Sequence, residues 1–311
     1  MNTSLASLAA LIVAATVAAG PARAETYKSP EAAVEALVAA AKANDASAAE
    51  TVLGKGSADI VASGDDVADQ AGRAKFVSAY DAKHQIELEG AAKAALVIGD
   101  KDYPFPIPLV KAANGTWSFD VASGRSEILF RRIGRNELSA IQTLLAIVDA
   151  ENEYASAEHG AGVGVYAQSF LSSEGKKDGL YWPSAEGESP SPLGPLVAVA
   201  SGEGYTRAEG AQPYHGYLFK ILTRQGSAAP GGAADYLVNG RLIGGFAVLA
   251  YPAQYRNSGV MTFIANYKGE VYQKDFGYNT PWTGGGITAF NPDKSWTKVD
   301  TSQAANWASA Q

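Results

Sequence analysis

The chain is 311 residues long, has no cysteine, and sets 25 basic against 32 acidic residues for a formal charge of −7. A hydrophobic fraction of 47% supports packed cores and excludes a disordered chain, and the length accommodates two ordinary domains. Without cysteine there are no disulfides, thiolate nucleophiles, Cys-ligated metals or lipidated leader junction, and an acidic chain lacking a basic stripe repels a phosphate backbone, so no nucleic-acid partner is expected.

Residues 8–20 (LAALIVAATVAAG) form an apolar run too short to span a bilayer, closed by Pro21, and Ala22-Arg23-Ala24 has the small-x-small form of a signal-peptidase site. No Lys or Arg precedes the run, leaving only the amino terminus to supply positive charge. We expect a signal peptide over residues 1–24, cleavage after Ala24, and a periplasmic or secreted mature chain; a retained anchor is the alternative. No later stretch is long and apolar enough to cross a membrane.

Ser29-Pro30-Glu31 is a helix start, and Ala33, Val34, Leu37, Val38 and Ala41 give the following helix one apolar face. A shorter helix is expected over Ser47 to Leu53, and another over Asp65 to Lys83, where Val67, Phe76, Val77 and Tyr80 recur at helical spacing. The period then falls to two. Strands are expected at His84 to Glu89, Lys93 to Gly99, Phe105 to Lys111 and Thr116 to Val121, with Trp117 and Phe119 in the core. Residues 25–124 thus read as an α+β domain, similar in pattern to the cystatin-like and NTF2-like folds, which carry no single function.

From Arg125 to about His159 an apolar stripe runs through Ile128, Ile133, Leu138, Ile141, Leu144, Leu145 and Val148, broken only by Gly134. Two helices joined or kinked at Gly134 to Glu137, the second capped by Asn136, are expected, with one bent helix as the alternative. Ala161 to Gly210 looks irregular: a short helix over Tyr166 to Phe170, a polar turn over Gly175 to Gly179, then a proline-rich run after Leu180-Tyr181-Trp182. Beyond it, strands are expected at Tyr217 to Leu222, Asp235 to Val238 with a tight turn at Asn239-Gly240, Phe246 to Tyr251, Gly259 to Ala265 and Glu270 to Lys274. Residues 125–300 therefore read as a long helix laid on a carboxy-terminal antiparallel sheet, with 301–311 as a tail. The fold class is α+β.

The blocks RRIGRNELSAIQ, KKDGLYWP, GYLFKIL, APGGAADYLVNGRLIGGFAVLAYP and NSGVMTFIANYKGEVYQKDFG resemble, in order, the bacterial domain-of-unknown-function family 2950. That resemblance implies export and this domain plan but no activity. The second half also resembles, more loosely, the globular part of type IV pilins and pseudopilins, although about a hundred residues precede its helix where pilins have a membrane segment.

Chemical motifs are sparse. His84, His159 and His215 are far apart in sequence and form no metal-binding spacing, so no metal or cofactor is expected. His84 fits a strand edge and His159 a helix C-terminus that favours a cation, while His215 is the histidine closest to a loop cluster. There is no G-x-S-x-G elbow, and Gly160-Ala-Gly-Val-Gly164 imitates a phosphate loop without the preceding strand or the Walker lysine. Glu87 with Glu89, and Asp149 with Glu153, read as solvated pairs rather than carboxylates facing across a cleft. Tyr205, Tyr255, Tyr278 and Trp282 add to an aromatic surplus at loops and strand ends. A candidate ligand groove is drawn from Tyr181, Trp182, Tyr214, His215, Asp235, Tyr251 and Asp275. The expected function is a non-catalytic binding or accessory component of the cell envelope, its partner an envelope protein or polysaccharide. The alternatives are an envelope-polymer hydrolase with Asp235, Asp275 or His215 facing one pocket, and a pilin-like assembly protein. A binding role predicts that Leu180 to Pro195 roofs an aromatic-lined cleft.

Overall fold

A computed structural model describes residues 25–160, 162–185, 187–206 and 212–301; the expected signal peptide and the tail beyond 301 lie outside them. The first helices form where capping predicts. Ser29 Oγ accepts from Ala32 N ahead of α1 (Pro30–Lys42), and Asp45 caps α2 (Ala46–Leu53) in the same way. After the single turn of α3 (Ala58–Val61), Asp65 caps α4 (Asp66–Ala82). The helices α1 and α2 bury their apolar faces on an antiparallel sheet, whereas none of the 17 residues of α4 is buried.

That sheet runs in the order β1 (His84–Leu88), β2 (Lys93–Ile98), β4 (Leu109–Lys111), β5 (Trp117–Phe119), with the short β3 (Tyr103–Pro104) also on β2. The strand expected from Phe105 shrinks to three residues because Pro106 and Pro108 bring no N–H to the ladder. Trp117 and Phe119 are buried as expected.

One helix, α5 (Val121–Ala155), takes the place of the expected pair. Gly134 lies on its exposed side with open space around the missing Cβ, so it costs the helix only about 1 kcal/mol of propensity. Asn136 caps nothing; its Nδ2 donates to Ser258 O at 2.9 Å. The amino-terminal end of α5 belongs to the first core through Val121 and Ile128, and its carboxy-terminal half to a second core through Leu144, Ile147, Val148 and Tyr154.

The second core is the antiparallel sheet of β6 (Tyr217–Leu222), β11 (Ala247–Pro252), β12 (Thr262–Asn266), β13 (Val271–Lys274) and β14 (Thr297–Lys298). Strand β11 is paired on both sides, between β12 and the edge strand β6, with Ala247 to Ala250 at 0% exposure. The carboxy-terminal half of α5 lies against β11 and β12 as expected, and α7 (Thr280–Gly286), which the sequence reading missed, packs on β11. Between β6 and β11 stand two hairpins: β7 (Arg224–Gln225) with β8 (Ala234–Asp235), and β9 (Leu237–Val238) with β10 (Arg241–Leu242), the latter turning at Asn239-Gly240 with φ of 50° and 75°.

Two further expectations fail. Tyr166 to Phe170 is irregular, with bends at Gln168 and Phe170, and not helical, because its backbone is engaged elsewhere: Tyr166 N donates to Leu242 O and Phe170 O accepts from Tyr181 N. The proline-rich stretch contains a helix, α6 (Gly194–Glu203), with Pro195 in its first turn and Gly204 as a left-handed C-cap.

Candidate functional site

Asp65 is 2% exposed, and its carboxylate binds across the molecule. Oδ1 accepts from Ala68 N at 3.1 Å, while Oδ2 accepts from the Tyr205 hydroxyl and from Gly216 N, each at 2.8 Å. The Tyr205 oxygen accepts in turn from His215 N at 3.2 Å. Tyr214 and Tyr217 exchange backbone hydrogen bonds around His215 and Gly216, which have φ of 48° and 75°. This two-residue turn needs positive φ at both central positions, a conformation histidine tolerates better than most side chains. The turn aims the imidazole at α6, where His215 Nε2 lies 3.3 Å from Glu203 Oε2. The same carboxylate holds the Tyr214 hydroxyl.

Protonation follows from this packing. Burial, then the charge of Asp65 and its hydrogen bond, pushes the Tyr205 phenol far above its ordinary range. Burial and Glu203 do the same to Tyr214. For His215, burial outweighs the attraction of Glu203 and Asp65 and lowers its pKa, with Arg135 adding to the effect. The imidazole is therefore neutral at neutral pH, and the His215–Glu203 contact is not an ion pair there.

Beside this knot, α6 roofs a cavity of about 220 Å³ walled by Thr143 and Ile147 of α5, Phe170, Leu193, Tyr205, Tyr214 and Phe219. A second cavity of about 290 Å³ opens on the other flank of α6 and ends at Arg135, Glu203 and His215. Thr143, Leu196 and Tyr214 line both. The aromatic-lined cleft expected under Leu180 to Pro195 thus exists under the following segment instead. Leu180, Trp182 and Leu193 are themselves buried in the core, so the stretch before α6 fills space rather than covering it.

Of the seven expected groove residues, only Tyr214 and His215 come together. Tyr181 is half-buried against the second core, and Trp182 meets Tyr154 edge-on and His159 at a tilt, at centroid distances of 6.4 and 5.1 Å. Tyr251 packs under Gly284 of α7, where an added Cβ would stand 2.9 Å from its ring. Asp235 is exposed on β8 opposite Arg224, accepting from Leu237 N, and Asp275 is exposed beyond β13, accepting from Tyr255 Oη and Gly277 N. Among the described residues Asp235, Asp275 and His215 have separate partners.

The glycine loop after α5 is occupied by the chain itself: Glu158 Oε1 accepts from Gly160 N at 2.7 Å and Gly162 N at 3.0 Å. His84 stacks on Tyr80 at the edge strand β1. His159 departs from the cation expected at a helix end, because burial and Lys177 lower its pKa. Among the described residues, no group of three or more His, Cys, Asp or Glu side chains is placed to hold a metal ion, and no helix is long and apolar enough to cross a membrane.

Sequence reasoning missed Asp65 as a site residue because it reads only as the start of a helix, and Glu203 because α6 was hidden in a proline-rich stretch. It also missed Glu151, at 0% exposure on α5. One oxygen of Glu151 accepts from Ala167 N at 2.9 Å, the other has no partner, and burial pushes the carboxyl up to about 8.

A family model described as "Protein of unknown function (DUF2950)" matches residues 24–299, so the chain belongs to that family. No curated protein and no solved structure matches it. The likeness to pilins is accordingly not confirmed.

Proposed function

We propose that this DUF2950 member is an exported, non-catalytic binding or accessory component of the cell envelope, and that it takes a small, largely apolar molecule beneath α6. The observation that carries the reading is the pair of cavities flanking α6, one walled by Tyr205 and Tyr214 and the other ending at Arg135, Glu203 and His215, with Thr143, Leu196 and Tyr214 common to both. Apolar and aromatic walls with a few converging polar groups are the ordinary composition of a small-molecule site. The roof is lightly held, since none of the ten residues of α6 is buried.

The polar end favours binding over catalysis. Asp65 accepts three hydrogen bonds, both phenols keep their protons far above neutral pH, and the His215 ring lies 3.3 Å from Glu203. Such groups orient a ligand without exchanging protons with it. Export is favoured by the apolar run at residues 8–20 and the Ala22-Arg23-Ala24 site.

The test uses the neutral fluorescent probe N-phenyl-1-naphthylamine. Saturable 1:1 enhancement with the wild type, lost in Leu196→Trp, is expected, because residue 196 lines both cavities and an indole there fills them. Unchanged circular dichroism shows that the variant has folded. Probe binding equal in both proteins, or hydrolysis of peptidoglycan by the purified chain, overturns the proposal.

A further inference from the structure

A further opening lies on the far side of Arg135. Helix α4 crosses the first sheet without burying a residue, and Phe76, Ala79 and Tyr80 on its inner side are only half-covered. Beneath it is a cleft of about 840 Å³ lined by Phe76 from α4 and by Ile98, Phe105 and Pro106. It continues past Phe76 and Phe105 into a space of about 270 Å³ that reaches Leu37 and Leu53. The two phenyl rings meet at 5.3 Å and give the cleft a firm aromatic surface. The main volume lies within the roughly 300–1,000 Å³ typical of small-molecule sites.

The rim is charged against the sign of the whole protein. Lys75, Lys101, Arg131 and Arg135 line the opening and Asp100 is its one lining carboxylate, a local surplus of three positive charges on a chain of net −7. Arg131 is engaged by Glu127 and lies 4.8 Å from the Tyr103 ring. Lys75, Lys101 and Arg135 form no ion pair among the described residues. Unpaired cations around an apolar trough match a molecule with the complementary pair of features: an anionic end and an apolar body.

We infer that the cleft between α4 and the first sheet binds a free single-chain amphiphile with a carboxylate head, the chain lying on Phe76 and Phe105 and the head held by Lys75, Lys101 and Arg135. This cleft shares Arg135 with the cavity that ends at Glu203 and His215, but it shares no lining residue with the tyrosine-walled cavity, and Leu196 lines neither part of it. Failure of one therefore leaves the other standing.

The test is isothermal titration of the mature protein with dodecanoate below its micelle concentration, with dodecanol and vesicles containing anionic phospholipid as comparisons. Expected are saturable 1:1 binding of dodecanoate that weakens as salt rises, and a loss of about tenfold in Lys75→Gln/Lys101→Gln, each exposed charge contributing roughly a few-fold. Both lysines are exposed, so this double variant keeps the wild-type melting temperature. Leu196→Trp should bind dodecanoate like the wild type. Dodecanoate affinity unchanged in the double variant, dodecanol binding as tightly as dodecanoate, or binding to vesicles but not to free dodecanoate would each overturn the inference.

Discussion

Glu151→Gln should remove most of the loss of stability that the protein suffers on going from acid to alkaline pH. The carboxyl is fully buried, one oxygen has no partner, and its pKa rises from 4.5 to about 8. In the unfolded chain the group releases its proton above pH 4.5, whereas the folded chain retains it to about 8. Folded molecules therefore hold more protons across that interval, so stability is greatest below it, declines through it and levels off above it. At 1.36 kcal/mol per unit the full span is roughly 5 kcal/mol, and relaxation around the ionised group reduces this to about 3–5 kcal/mol. Glutamine preserves the acceptor for Ala167 N and leaves one polar atom unpaired, as the protonated acid does. Urea unfolding at pH 5, 7 and 9 should give similar midpoints for the two proteins at pH 5 and a clear advantage for the variant at pH 9. His159 and His215 have lowered pKa values and add stability as pH rises, but they do so equally in both proteins and cancel in the comparison. Parallel profiles for wild type and variant would refute the reasoning.

Arg132→Met should cost about 3–5 kcal/mol, because the guanidinium donates to Asp59 O, Ile60 O and Asn257 Oδ1 and methionine leaves all three acceptors unpaired. Denaturant midpoints measure the loss, and a change below about 1 kcal/mol contradicts the assignment. Gly216→Ala places a Cβ 2.7 Å from Asn136 Nδ2 and 2.8 Å from Ser258 Cβ at a φ of 75°. Strain and overlap together should cost about 2–4 kcal/mol and weaken probe binding under α6, whereas an unshifted melting curve argues against this turn geometry.

Much of the architecture was legible because single residues signal it. Ser29-Pro30, Asp65 and Asn239-Gly240 each act where their chemistry predicts. The stripe of α5 also contained its exception in plain view: Glu151 falls in step with Leu144, Ile147, Val148 and Tyr154, so the pattern itself places a carboxylate in the core. Helix α6 was hidden by its proline content, although Pro195 near its start and Gly204 after its end are ordinary boundary signals. The site was less legible, since Tyr205, Glu203 and Asp65 are brought to the His215 turn by tertiary packing over separations of up to 151 residues. No spacing rule reaches that far.

Those long separations bear on how the cavity under α6 is assembled. Asp65 belongs to the helical cap of the first sheet, yet it fixes Tyr205 and the His215-Gly216 turn beside the second. Arg132 performs the same service from α5, tying Asp59 and Ile60 of the first core to Asn257 beside β12. Asn257 Nδ2 adds a bond to Ala62 O at 3.2 Å. All these links involve buried or half-buried polar groups, so separating the two halves would leave them unpaired at about 1–3 kcal/mol each. The polar end of the cavity consequently exists only while both halves are docked. A fragment beginning at Arg125 should therefore lose N-phenyl-1-naphthylamine binding even if its sheet still forms, and adding residues 25–124 in trans should restore it. Full affinity in the fragment alone would show that the first half contributes nothing to the site.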